Sequence, residues 1–272
     1  RALSREQLLE QINSVLALVK AVPYSDDITI PNDDAETMLN HVLALPRAGV
    51  ITQKDSFGEM ISLEREAAVL MTYYRNNVQH LFVLPSLVAS IILHLEAVSK
   101  DLIIKCVQQV YPFLKAELFL HFEPSEVRHQ VELILAEFAR QHVIKGESDL
   151  FKINPPALRT LQLHSNGVRE VLQRYYIGLS LLMSQPEISR GEFEKESRTI
   201  AQRLSVLHGI NAPEFFDKAL FSTFSNTLKA QDYFDEEGKA IVAKIQPIEE
   251  LLRSLISVEI QLTIKGAMEK EA

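Results

Sequence analysis

From Ala67 to Leu95 the chain is apolar almost throughout, except for one run: Thr72-Tyr73-Tyr74-Arg75-Asn76-Asn77-Val78-Gln79-His80. Burying such groups without partners costs about 1–3 kcal/mol each, and more when charged. The segment can fold only if the run faces water or if specific partners satisfy it. On a helix, Ala67, Leu70, Met71, Tyr74, Val78 and Leu81 share one apolar arc. Thr72, Arg75, Asn76, Gln79 and, at its margin, His80 share the opposite polar arc. Asn77 lies at the edge of the apolar arc and is expected to be fixed by backbone or by a tyrosine hydroxyl. Arg75 carries a planar fork of donors suited to carboxylates, phosphates or carbonyls. The run holds bulky directional donors and neither Lys nor Glu. Tyr73, Tyr74, Arg75, Asn76, Asn77 and His80 are therefore the candidate interdomain or site-lining residues; the bland alternative is a wetted helix face.

Around this segment the pattern is mainly α. Ser4 with Gln7 resembles a capping box, opening a helix that stops before Pro23. A polar loop follows, with a short extended piece at Ile28–Ile30, then a helix from Asp33 or Asp34 to Leu45. The stretch 49–62 reads as a β-hairpin, and Ser62 opens the long helical region, which Pro85 should kink or break. Helices are predicted over 101–122 and 124–142, then a second hairpin over 142–153 turning at Gly146 to Asp149. Only helices follow, over 155–184, 189–208, 213–230 and 238–267. The expectation is one multi-helix domain with two small β-hairpins over 1–272, with a possible division into 1–153 and 154–272. No internal repeat is visible. A helix followed by a hairpin, over Pro124 to Ile153, is also the outline of a winged-helix element, which occurs in protein-binding modules as well as DNA binders.

The net charge of −8 argues against nucleic acid as the main partner. It also argues against broad adhesion to anionic lipid. The single cysteine, Cys106, excludes an internal disulfide and reads as a small buried hydrophobe. Leu81–Leu95 is fifteen residues and carries Pro85, two serines and His94, short of the about 20 apolar residues that a membrane span needs. No secretory signal is visible, and a chain opening at Arg1 reads as a piece of a longer polypeptide. Phosphate-cradling glycine motifs, a nucleophile elbow and C-x-x-C are all missing from the sequence. Glu126-x-x-His129 is half of a di-iron motif with no second copy, and reads as a solvent-facing turn. No catalytic residue, cofactor or metal ligand is assigned.

The run YYRNNVQHLFVLPSLVA resembles a segment in the C-terminal region of bacterial membrane-bound glycerol-3-phosphate 1-O-acyltransferases. SLEREAAVLMTYYRNN, YPFLKAELFL and LRTLQLHSNGVREVLQRYY resemble the same region in the same order, so the likeness covers at least Ser62 to Tyr176. It implies a parent enzyme that moves a fatty acyl group from acyl-CoA or acyl-carrier protein to the sn-1 hydroxyl of glycerol 3-phosphate. The product is lysophosphatidic acid, made at the cytoplasmic face of the bacterial inner membrane. That family's acyltransferase domain uses a His, four residues, then an Asp, the His acting as general base. None of the eight histidines here has an Asp five positions on, and the family's Pro-Glu-Gly-Thr phosphate motif is missing too. The resemblance therefore implies an accessory C-terminal domain, inactive alone, whose partners are an upstream catalytic domain and, through it, the membrane surface. Arg75 would then pair with groups on that catalytic domain. The alternative is a stand-alone helical adaptor that binds another protein.

Overall fold

The computed structural model describes residues 2–45, 49–147, 149–210 and 212–269, without the side chain of Arg65. Among them are ten α-helices and two three-stranded antiparallel sheets. The first sheet joins β1 (Ala2–Ser4), β2 (Val50–Asp55) and β3 (Gly58–Leu63), with β3 in the middle. The second joins β4 (Ala97–Ser99), β5 (Ile144–Glu147) and β6 (Leu150–Ile153), with β6 in the middle. Both hairpins stand where periodicity puts them, and each gains a third strand of three residues. The predicted turn of the second includes Ser148, which lies outside the described residues.

Between the strands run α1 (Arg5–Ala21) and α2 (Ala35–Leu43) in the first unit, and α4 (Lys100–Leu118) and α5 (Val127–Arg140) in the second. A long helix follows each unit: α3 (Arg65–Leu95) and α6 (Leu158–Ser184). The order strand–helix–helix–strand–strand–helix thus occurs twice, with the same strand order in both sheets. This corrects the expectation of no repeat. The local devices recur as well. Ser4 caps α1 through the Gln7 amide at 3.2 Å, and Ser99 caps α4 through the Leu102 amide at 3.2 Å. The next residue is basic in both and reaches the second helix: Arg5 to Glu36 at 2.5 Å, Lys100 to Glu132 at 3.4 Å. The matching sequence is only Ala-Leu-Ser-Arg-Glu against Ala-Val-Ser-Lys-Asp. Similarity that short is lost among ordinary helix starts.

Helices α3 and α6 pack on each other and form the spine of the core. The contact is close because Gly167 carries no side chain: a Cβ there would lie 2.4 Å from Ser86 Oγ. From Val83 to Ile92 α3 is buried all round, with Leu87, Val88, Ile91 and Ile92 at 0% exposure. Each such side chain contributes about 1.5–3 kcal/mol, as an upper estimate. Pro85 does not end the helix, which runs on for ten residues beyond it. By length and composition Glu66–Leu95 is enough to cross a membrane, longer than the fifteen-residue run suggested; its second half is core. Cys106 is buried at 4%, as a small hydrophobe should be.

The C-terminal part is helical, as expected, with adjusted breaks. Short 3-10 turns at Pro155–Ala157 and Pro213–Phe216 precede α6 and α8 (Lys218–Ala230), and α7 (Arg190–His208) lies between. The single helix expected over 238–267 is two, α9 (Val242–Ser254) and α10 (Val258–Glu269). Helix α4 ends at Leu118, four residues before the predicted end at Phe122, because Phe119 takes a left-handed φ of 54° and breaks the ladder. Ile28–Ile30 forms no strand.

Candidate functional site

Helix α3 carries the polar run in its first half, and the run is oriented opposite to the expectation. Part of the apolar arc faces outward: Ala67 is buried and Met71 and Leu81 are half-buried, but Leu70, Tyr74 and Val78 are exposed, and Tyr73 beside them is too. Leu70 is 58% exposed, Tyr73 61%, Tyr74 67% and Val78 42%. Asn77 stands exposed among them, with no side-chain hydrogen bond to the described residues, so the bond expected for it is not formed.

The polar arc turns inward instead, because the fold supplies partners from distant sequence. Arg75 Nη1 lies 3.0 Å from Glu170 Oε2 on α6, and Arg75 Nη2 lies 2.6 Å from Glu214 Oε1. Asn76 Oδ1 accepts from the same guanidinium at 3.3 Å. One turn on, Gln79 Nε2 donates to the Gly167 carbonyl at 3.3 Å. Thr72 Oγ1 donates to the Val69 carbonyl at 2.7 Å. His80 meets the edge of Tyr24 at 5.1 Å between ring centres, and the Tyr24 hydroxyl accepts from the His121 amide at 3.1 Å. The expectation that Arg75 finds its carboxylates on another domain is corrected: two are in its own chain. Paired polar groups can be buried at little net cost. Hydrophobic patterning alone does not show that Leu70, Tyr74 and Val78 stay exposed while Arg75 and Gln79 find partners within the chain.

The outward face does not stand alone. Ten of the nineteen exposed large hydrophobic side chains among the described residues fall between Val42 and Val78. That stretch covers α2, the first sheet with Phe57 at its tip, and the first half of α3. Composition had not marked the α2 and sheet residues. The signal available was that the first unit offers few apolar positions for its own core: Leu18, Ala35, Leu39 and Ile61 are among the few buried there.

Glu170, held by Arg75, also lines a cavity of about 300 Å³ between α3, α6, α7 and the α9–α10 corner. His94, Arg169, Gln173 and His208 line it as well. His94 Nδ1 bonds the Ser90 carbonyl at 2.8 Å, and His208 Nε2 meets Thr263 Oγ1 at 3.1 Å. His208 Nδ1 is 3.7 Å from Glu259, beyond the about 2.6–3.2 Å that lets a carboxylate orient an imidazole as a base. No other His–carboxylate pair within 4.0 Å occurs among the described residues.

Other buried polar clusters serve packing. His164 sits between α1 and α6, with Nε2 2.8 Å from Ser14 Oγ. The Gln141 amide donates to Glu137 and to the Ser14 carbonyl, so its oxygen accepts the Ser14 hydroxyl proton at 2.6 Å. His164 must therefore donate from Nε2. Burial pushes its pKa down to about 4, so the ring is neutral. Glu117 on α4 and Arg174 on α6 form an ion pair that is buried on both sides.

The sequence matches the family described as glycerol-3-phosphate acyltransferase C-terminal region over residues 1–237, leaving α9 and α10 outside the match. It is 72% identical to the glycerol-3-phosphate acyltransferase of Actinobacillus pleuropneumoniae serotype 3 (strain JL03) over 270 residues, 99% of this chain and 33% of the relative. Identity is 68% to that of Glaesserella parasuis serovar 5 (strain SH0165) and 57% to that of Pasteurella multocida (strain Pm70), each with the same coverage. The chain thus spans about a third of the length of the curated relatives it matches.

Proposed function

The chain belongs to the glycerol-3-phosphate acyltransferase C-terminal region family, and on that premise we propose that it is the accessory C-terminal domain of such an enzyme. In this reading the parent polypeptide transfers a fatty acyl group from acyl-CoA or acyl-carrier protein to the sn-1 hydroxyl of glycerol 3-phosphate. It does so at the cytoplasmic face of the bacterial inner membrane, as the first step of phospholipid synthesis. The general base lies in the larger, upstream portion. This domain braces that portion.

One observation carries the reading: a 72%-identical acyltransferase three times as long, matched by a segment with no His–x4–Asp. The outward half of the α3 run, Tyr73, Tyr74 and Asn77, faces the catalytic portion. The inward half, Arg75, Asn76 and His80, holds that face rigid by fixing α3 to α6, to the turn at Glu214 and to Tyr24. Tyrosine suits such a surface because it adds large contact area at low entropic cost.

The test uses two samples. The purified 272-residue chain, given glycerol 3-phosphate and an acyl donor, should show no turnover, because it lacks the base. The parent enzyme with Tyr73→Ala and Tyr74→Ala should lose activity while the isolated domain with the same changes melts as wild type. Turnover by the isolated chain, or full activity of the doubly substituted parent, would overturn the reading.

A further inference from the structure

The internal repeat gives the exposed stripe of α3 a counterpart on α6. Ile61 and Phe151 occupy equivalent places, as the cross-strand partners of Leu3 and Val98. They are ninety residues apart, and the chain leaves each sheet at equivalent places, Leu63 and Ile153, entering α3 directly at Arg65 and α6 through the 3-10 turn Pro155–Ala157. The same ninety-residue step carries Leu70, Tyr74 and Val78 onto Thr160, His164 and Val168 of α6. Those three are 4%, 6% and 0% exposed.

They are buried where α1 docks. Thr160 Oγ1 donates to Glu10 Oε1 at 2.9 Å, and His164 meets Ser14 at 2.8 Å. Both pairs step by four residues in the same direction, so α1 and α6 run parallel at the contact. The first helix of one unit therefore covers the long helix that follows the next unit. On α3 the equivalent stripe is bare.

We infer that a helix preceding this chain in the longer polypeptide seats on Leu70, Tyr74 and Val78, running parallel to α3 as α1 runs on α6. This rests on the reading of the chain as the C-terminal part of a longer enzyme, whose relatives are about three times its length. The stripe defines the occupant's chemistry. It must be apolar against Leu70 and Val78, and it must offer hydrogen-bonding groups to the Tyr74 hydroxyl and the neighbouring Asn77 amide. An anionic membrane is a poorer match, because Arg75 is the only Lys or Arg between Glu66 and Leu81 and it is already held by Glu170 and Glu214. A helix on the same polypeptide also binds at the high effective concentration of an intramolecular contact.

The experiment places a photo-reactive benzoylphenylalanine at Tyr74 of the full-length enzyme in membranes, and at Leu133 on α5 as the comparison site. Irradiation and peptide mapping should join position 74, and not 133, to one helical segment upstream of Arg1. Val78→Glu should abolish that adduct while leaving the melting of the isolated domain unchanged. Adducts to lipid, to a second copy, to residues within this chain, or no adduct at all would each overturn the inference. Acyltransferase activity is assayed in the same sample, so the two readings can fail separately. An active enzyme whose position 74 maps elsewhere refutes the docked helix alone. An upstream adduct in a preparation that transfers no acyl group counts against the proposed function instead.

Discussion

Arg75 Nη2 lies 2.6 Å from Glu214 Oε1 while its Nη1 holds Glu170, so one guanidinium fastens α3 to α6 and to the turn before α8. The group is 40% exposed, which keeps each pair near the surface range of about 0–1 kcal/mol. Arg75→Ala also leaves two carboxylates facing each other across the vacated site. The isolated domain should lose about 1–2 kcal/mol in urea unfolding. Arg75→Lys reaches only one partner and should lose roughly half as much. An isolated domain indifferent to both changes would show that the two pairs add nothing to folding.

Gly167 tests the spine. A methyl group there would meet Ser86 Oγ at 2.4 Å and Ser86 Cβ at 3.2 Å, so Gly167→Ala forces α3 and α6 apart. Overpacking of this kind costs about 1–3 kcal/mol. Adding Ser86→Ala removes the nearer clash and should restore part of the loss, read as a partial recovery of the urea midpoint. No recovery in the double variant would place the strain elsewhere.

Much of the fold was legible because several helices announce a start or an end. The capping boxes at Ser4 and Ser189 and the glycine after His208 mark theirs locally. The three-residue strands were not legible: Ala2–Ser4 and Ala97–Ser99 sit directly against their Ser caps and read as helix approach. Nor was the orientation of α3. Arg75 and Gln79 are inward only because Glu170, Glu214 and the Gly167 carbonyl come to meet them, and those partners lie 88 or more residues away. The six candidate residues were chosen by their chemistry. Which of them face out had to come from the structure.

His164 should make the α1–α6 junction sensitive to acid. Its folded pKa of about 4 lies below the ordinary 6.5, so between these values the unfolded chain binds the proton and the folded one does not. Stability must then fall as pH drops from about 6.5 toward 4, by up to about 3 kcal/mol at completion. Glu137, held below its usual range first by Arg140, adds to the loss only at the acid end. His164→Gln keeps a donor for Ser14 and removes the titration. Its urea midpoint should be flatter than wild type between pH 6.5 and 5, and parallel curves would rule out His164 as the cause.

Glu117 and Arg174 offer the sharpest separation between a pair that stabilises and one that only must not be broken. Their side chains are 6% and 3% exposed, joining α4 to α6 inside the core, and Arg174 Nε has no hydrogen-bond partner. Desolvation at such a site offsets most of the attraction, while removing one partner leaves an uncompensated charge. Glu117→Gln should therefore destabilise the domain by about 3–5 kcal/mol, enough to threaten folding at 37 °C. Arg174→Met alone strands the carboxylate and should cost a similar amount. The double change Glu117→Leu with Arg174→Met removes both charges and replaces them with apolar groups. It should lie closer to wild type than either single variant, measured by urea unfolding at pH 7. A double variant as unstable as either single would show instead that the pair contributes real net stability, and one at the sum of the singles would show that the two side chains are not coupled.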